Sequence, residues 1–225
     1  MHPQAQAILE QLQIVAAERA ARARDPQLAE RVLAVKRWQH QRFQHTYADL
    51  LASPRYGDAA RFFLEDLYGP GDFSRRDAQF ARVVPALVRL FPREVVHTVR
   101  TLGELHSLSE TLDTAMGRCV PPGELDARGY VTAWQAVGRP RDRERQIRLM
   151  RAVGDALDGY TRNPLLRRAL HLMRGPARLA GLSELQAFLE RGFDTFQAMH
   201  GAQYLLDAVV EREQALAAQW FAAPP

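Results

Sequence analysis

Helical periodicity runs through nearly every long segment of this 225-residue chain, and no segment alternates apolar and polar residues in the manner of a strand. No Asn-Gly hairpin turn is present. A chain patterned in this way closes a core only by packing helix stripes against one another. The fold expected is therefore all-α: a single compact bundle of about nine or ten helices over residues 1–225. A subdivision into two closely packed helical halves, 1–118 and 124–225, is possible at the loop Cys119–Gly123, the clearest break in the pattern. At this length a chain buries roughly 70% of its unfolded surface, so it needs no covalent staple. Cys119 is the only cysteine and cannot form an internal disulfide.

Local punctuation places the helices. The first spans about Gln4 to Arg22, with Ile8, Leu12 and Val15 on one side. Asp25-Pro26 reads as a cap followed by proline at the first helical position; this second helix carries Leu28, Val32, Val35, Phe43, Tyr47 and Leu50. A short aromatic helix covers about Asp58 to Tyr68. Ser74 with Asp77 resembles a capping box opening a helix in which Pro85 should make a kink. Further helices are expected from Pro92 to about Met116, and near 124–137, 142–157, 164–179 and 183–220. The last is continuous or bent at Gly192 or Gly201. Its stripe of Leu185, Phe188, Leu189, Phe193, Phe196, Met199, Tyr204 and Leu206 reads as core, and Gly138, Gly159 and Gly181 read as C-terminal caps.

Two places break the apolar pattern with chemistry. At 100° per residue, Phe62, Phe63 and Leu67 define an apolar arc that contains Asp66 and excludes Glu65. A carboxylate aimed into aromatic surroundings must be satisfied, by the amides of the Gly69-Pro70-Gly71 turn or by an arginine, unless it serves a ligand. On the helix after Pro92, His106, Ser109, Glu110 and Asp113 form a polar ladder on or beside the face set by Val95, Val96, Val99 and Leu102. The ladder reads as an internal hydrogen-bonded network, as a ligand pocket built from Asp66, His106, Ser109 and Asp113 or a subunit interface, or as a haem site with His106 as ligand. Glu94 and His97 have the spacing used in di-iron bundles but rotate toward solvent and occur in one copy, so no metal is expected. No phosphate-binding glycine loop, nucleophile elbow or catalytic constellation appears, and no catalytic residue is assigned.

The formal net charge of +4 invites an anionic partner. Arg139, Arg141, Arg143, Arg145, Arg148 and Arg151 make the richest basic stretch, and the first five are the candidate anion-binding residues. Asp142 and Glu144 dilute it, and all basic residues but Lys36 are arginine, as a GC-rich genome would produce without selection for a partner. No helix-turn-helix or RNA-module signature accompanies the charge, which argues against nucleic acid. No apolar run approaches about 18 residues, so membrane insertion is not expected. The first residues lack the basic and apolar regions of a signal peptide, so a cytoplasmic protein is the expectation.

Phe62-Phe63-Leu64-Glu65-Asp66-Leu67-Tyr68-Gly69-Pro70, followed by Asp72-Phe73-Ser74 and Arg76-Asp77, resembles an uncharacterised, chiefly proteobacterial family of all-helical proteins. Glu104-Leu105-His106, Arg191-Gly192-Phe193 and His200-Gly201-Ala202 are similar to that family too, so the resemblance spans the chain from about residue 55 onward. It implies a self-standing bacterial cytoplasmic domain and no particular activity. The function expected is a non-enzymatic interaction or regulatory module, self-associating as a homodimer or binding a protein partner. A small-ligand or haem pocket at His106 and an anion or nucleic-acid binder through the stretch from Arg139 to Arg151 are the alternatives.

Overall fold

The computed structural model describes residues 2–67, 69, 71, 73–121 and 123–223. Among them there is no strand, and nine helices of nine or more residues are joined by three shorter ones. The long helices are α1 (Pro3–Arg24), α2 (Pro26–Thr46), α5 (Ser74–Leu90), α6 (Arg93–Cys119), α7 (Ala127–Val137), α8 (Pro140–Thr161), α9 (Pro164–Leu172), α11 (Ser183–Ala198) and α12 (Gln203–Ala222). The short ones are α3 (Ala48–Ala52), α4 (Gly57–Phe62) and α10 (Arg174–Leu179). A π-helical turn over Phe63–Leu67 follows α4. Tyr68, Pro70, Asp72 and Pro122, which belong to expected helix ends and turns, lie outside the described residues. No described helix is long and apolar enough to cross a membrane.

α6 is the axis. No residue from Thr98 to Gly117 is exposed, because α1, α2, α5, α7 and α8 pack around it. Contacts along its length give the directions of its neighbours. Gln11 meets Ser107 and Arg22 meets Glu110, so α1 runs parallel to α6. Lys36 bonds Glu110 while Val32 lies against Gly117, so α2 runs antiparallel. α8 is also antiparallel, with Gln146 on Ser109 and Tyr160 on Thr98. Three apolar clusters fill the spaces. One joins Tyr47, Leu50, Phe63 and Leu105 to Met150, Phe196, Met199, Leu205 and Leu206. A second joins Val35 and Met116 to Tyr130, Trp134 and Trp220, with Trp38 stacked 3.6 Å from Tyr130. A third holds Ala5, Ile8, Val84, Val88 and Val96. The first two draw on both sides of the Cys119–Gly123 loop.

The cap at Asp25 is formed as expected, its carboxylate accepting from Leu28 N at 3.1 Å. α5 continues through Pro85. Three expected helices divide. The second breaks at Tyr47, whose hydroxyl donates to Glu213 Oε1 at 2.5 Å. The segment 164–179 breaks at Met173, because Pro176 has no N–H to return to Leu172. The segment 183–220 breaks at His200 and Gly201, with φ of 50° and 117°, and not at Gly192, whose α-carbon packs against Phe62. Arg55 secures that corner by donating to the carbonyls of Met199 and His200 at 2.7 and 3.2 Å. Gly138 and Gly181 cap helices with positive φ, whereas Gly159 lies inside α8. Leu189 and Tyr204 depart from the expected core stripe and are exposed.

α2 approaches α6 closely at Gly117, where an added β-carbon would overlap Val32 Cγ2 and fall 3.2 Å from Val32 N. Valine is rotamerically stiff in a helix and cannot swing aside. Alanine gains about 1 kcal/mol of helix propensity over glycine, while overpacking costs roughly 1–3 kcal/mol. We expect Gly117→Ala to be destabilised by up to about 2 kcal/mol in urea unfolding; a stabilised variant would mean that the helices do not approach this closely.

Candidate functional site

The polar ladder of α6 is taken up residue by residue by the surrounding helices. Glu110 is buried and accepts from Arg22 Nη2 at 2.5 Å and Lys36 Nζ at 2.7 Å, while Arg22 Nη1 also donates to Thr114 Oγ1 at 3.2 Å. Burial pushes the Glu110 carboxyl up, but the two cations outweigh it and hold it at about 2. Asp113, one turn on, has less: Gln39 Nε2 donates to it at 3.1 Å and Lys36 Nζ stands 3.9 Å away. Burial therefore wins, assisted by the Glu110 charge, and the Asp113 carboxyl titrates above its ordinary value. Ser109 Oγ accepts from Gln146 Nε2 at 2.8 Å.

His106 points to a different neighbour. Its Nε2 lies 2.8 Å from Asp77 Oδ2, and Arg19 Nη2 approaches the same oxygen at 2.8 Å. Burial pushes Asp77 up, but the His106 hydrogen bond and charge and then Arg19 reverse this, so the carboxyl lies below its usual range. An ionised carboxylate only accepts, so His106 Nε2 carries the proton toward Asp77. A haem iron at Nε2 would have to displace this bond. Glu94 and His97 are both exposed, and no group of three or more metal-binding side chains converges among the described residues.

Asp66 lies in the π-helical turn, where rotation at 100° per residue no longer applies. Of the two satisfying arrangements, the arginine is observed: Arg191 Nη2 is 2.6 Å from Asp66 Oδ1. Arg76, held between the rings of Phe73 and Phe188 at 4.3 Å from each, donates to the Asp66 carbonyl at 2.7 Å, and its Nε stands 4.0 Å from Asp77. Asp66 and His106 are thus joined through Arg76 and Asp77. Asp113 belongs to the separate Lys36 group, so the four pocket candidates do not meet at one point.

The arginines of α8 point in several directions. Arg139 pairs with Asp142 at 2.6 Å, Arg145 with Glu104 at 3.0 Å, Arg148 with Glu144 at 3.8 Å, and Arg151 with Asp155 and Asp207; Arg141 is exposed. Arg143 is buried over the Trp134 ring, 3.8 Å from its centroid. Burial lowers its pKa, and its Nε and Nη2, with Trp134 Nε1, have no hydrogen-bond partner among the described residues. The cation–π contact is what offsets that desolvation.

Sequence reasoning missed a surface. α9 has no buried residue, and Leu165, Leu172, Met173 and Leu179 of α9–α10 are all exposed. Leu165 and Leu172 are seven residues apart and share one face of α9. No Asp or Glu occurs from Gly159 to Ser183, while five arginines do. Those five exceed the formal net charge of the whole chain, so the remainder is on balance acidic. Arg162, Arg167 and Arg174 reach back to Asp158, Asp194 and Glu190. Arg168 and Arg178 are exposed and have no acidic partner among the described residues. Counting acids as well as arginines would have found this run.

Fold and polar interior together define an all-α bundle with a charged central helix and an apolar, arginine-flanked hairpin on its surface. Residues 18–225 match the family model described as Domain of unknown function (DUF8198), and the chain belongs to that family. The match takes in all of α2 and the end of α1, further toward the N-terminus than the residues from about 55 onward that carry the resemblance. No curated protein and no solved structure matches the chain.

Glu110 and Asp113 of α6 should respond oppositely to neutralisation. The stabilisation from Glu110 is complete above its ordinary value of 4.5 and is lost as pH falls toward about 2. Asp113 has the opposite sign: its contribution is present below its ordinary 3.8 and is lost as pH rises through the elevated value. We expect Glu110→Gln to cost about 3 kcal/mol at neutral pH, because it strands two part-buried cations. Asp113→Asn should be neutral or stabilising. Urea unfolding at neutral and acidic pH distinguishes them, and equal losses from both would refute the assignment.

Proposed function

We propose that this protein is a docking module that works by binding a partner, and that the α9–α10 hairpin is the face it uses. What supports the reading is how the chain spends its polar side chains. His106, Ser109, Glu110, Asp113 and Asp66 each hold a residue of another helix, a use that fits fixing the bundle. The single observation that carries the proposal is α9. It is a nine-residue amphipathic helix none of whose residues is buried: Leu166 and Leu170 are half-buried, and Leu165 and Leu172 are turned outward. An isolated helix of that length is marginal in water, and exposing a leucine stripe brings it no packing energy. A covering partner would supply what the bundle does not.

Self-association, expected from the long helices, fits this face poorly. A twofold contact would place the acid-free arginine segment against its own copy, with like charges opposed. The partner that suits the face offers negative charge and accepts apolar side chains.

The test uses the full chain expressed in cells, with a photo-crosslinking amino acid at position 172, 179 or 144. Glu144, exposed on α8, serves as the control. Irradiation should give adducts at 172 and 179 well above those at 144. Equal yields at the three positions would overturn docking through this hairpin.

A further inference from the structure

The reading of α9–α10 as a docking face can be carried to its partner. We infer that the hairpin docks on the surface of an anionic lipid bilayer, with its leucines entering the boundary between headgroups and acyl chains and its arginines among the lipid phosphates. This rests on the docking reading above.

Three observations favour a bilayer over other anionic surfaces. The apolar residues stand outward and do not line a groove: Leu165 is 69% exposed, Leu172 79% and Leu179 92%. A protein partner would need a pocket shaped to each, whereas a bilayer takes scattered leucines without shape complementarity. Nucleic acid offers leucines nothing to enter. The charge is also arranged as an interfacial helix requires. Arg168 is three residues after Leu165 and four before Leu172, beside the apolar stripe, and Arg178 adjoins Leu179. Both have the long stem that lets a guanidinium reach phosphates while the neighbouring apolar residue goes deeper.

The third observation comes from another part of the chain. The α5–α6 turn presents Leu90, 78% exposed, and Phe91 between the exposed Arg89 and Arg93. It lies at the same end of the bundle. Thr98, near the start of α6, is 2.9 Å from Tyr160 near the end of α8, just before α9, and Arg82 of α5 donates to the Ala180 carbonyl after α10. Two elements that are separate in sequence therefore offer the same pattern of arginine beside exposed apolar side chain. No described helix can cross a membrane, so the contact is one of lying on the surface.

The experiment is co-sedimentation of the full chain with phosphatidylcholine vesicles and with vesicles that also contain phosphatidylglycerol. Binding is expected to the mixed vesicles alone and to weaken as salt is raised, because the charges are exposed. Replacing Arg168 and Arg178 with alanine should weaken it roughly tenfold or more. Leu172→Asp with Leu179→Asp should abolish it. All four residues are exposed, so thermal unfolding should be unchanged and will show that the variants fold. Equal binding to both vesicle types, or binding unaffected by either pair of substitutions, overturns the bilayer inference. If mixed vesicles are not bound at low salt yet positions 172 and 179 still crosslink to a protein, the bilayer inference falls and docking stands. If neither occurs, both fall.

Discussion

The Glu110 carboxylate, with Arg22 on one oxygen and Lys36 on the other, is the contact on which the arrangement of helices turns. It ties α1, α2 and α6 at one level. Such a pair adds little net stability over a well-packed apolar substitute, because desolvating three charges nearly cancels their attraction. It does add position. A helix enclosed on all sides could slide or rotate among its neighbours with little change in apolar contact. Several polar residues of α6 resist that by pairing with a residue on one particular helix: Ser107 with Gln11 on α1, His106 with Asp77 on α5, Ser109 with Gln146 on α8, Asp113 with Gln39 on α2. A one-residue slip would leave several of these unpaired, at roughly 1–3 kcal/mol for each buried group.

The same logic continues outward through arginine. Arg76 lies between two phenylalanine rings, reaches the carbonyl of the π-helical turn and stands near Asp77, so it couples α4 and α5 to α11. Arg143 shows the limit of the device. Buried on Trp134, with two nitrogens unpartnered among the described residues, it rests on the ring face, with the Asp113 carboxylate nearby. That charge is itself costly to bury, which is why two neighbouring carboxylates on α6 have pKa values moved in opposite directions.

How much of this was legible in sequence depends on the assumption behind the helical wheel, that a helix has one wet side. Where the assumption holds, as for α2 with Leu28, Val32 and Val35, the buried face is read correctly. It fails for α6, where no outside exists along twenty residues, and the ladder from His106 to Asp113 became visible only as an anomaly. That Asp66 needs an arginine follows from its type. That the arginine is Arg191 does not, because the π-helical turn alters the rotation and the partner is far along the chain. The basic stretch at 139–151 drew attention by density, yet its charges are mostly answered by nearby acids. The segment from Gly159 to Ser183 has fewer arginines and no acid at all, and the missing acids are the stronger signal.

The interior and the hairpin then belong to one distribution of charge. Outside residues 159–183 acids slightly outnumber bases, and many of those acids answer arginines within the bundle; Arg168 and Arg178, exposed and without an acidic partner among the described residues, stand on the segment with no acids of its own. The energetics of α9 point the same way. Its start is well made, with Asn163 accepting from Leu165 N at 3.0 Å and Pro164 at the first position. Its attachment rests on the half-buried Leu166 and Leu170, on Arg167 paired with Asp194, and on Gln186 donating to the Leu170 carbonyl at 2.7 Å. None of these covers Leu165 or Leu172. A sequence shaped only for the stability of the bundle would have turned Leu165 and Leu172 inward or made them polar. Keeping both outward, beside unanswered arginines, is the arrangement that a surface both apolar and negatively charged would complete.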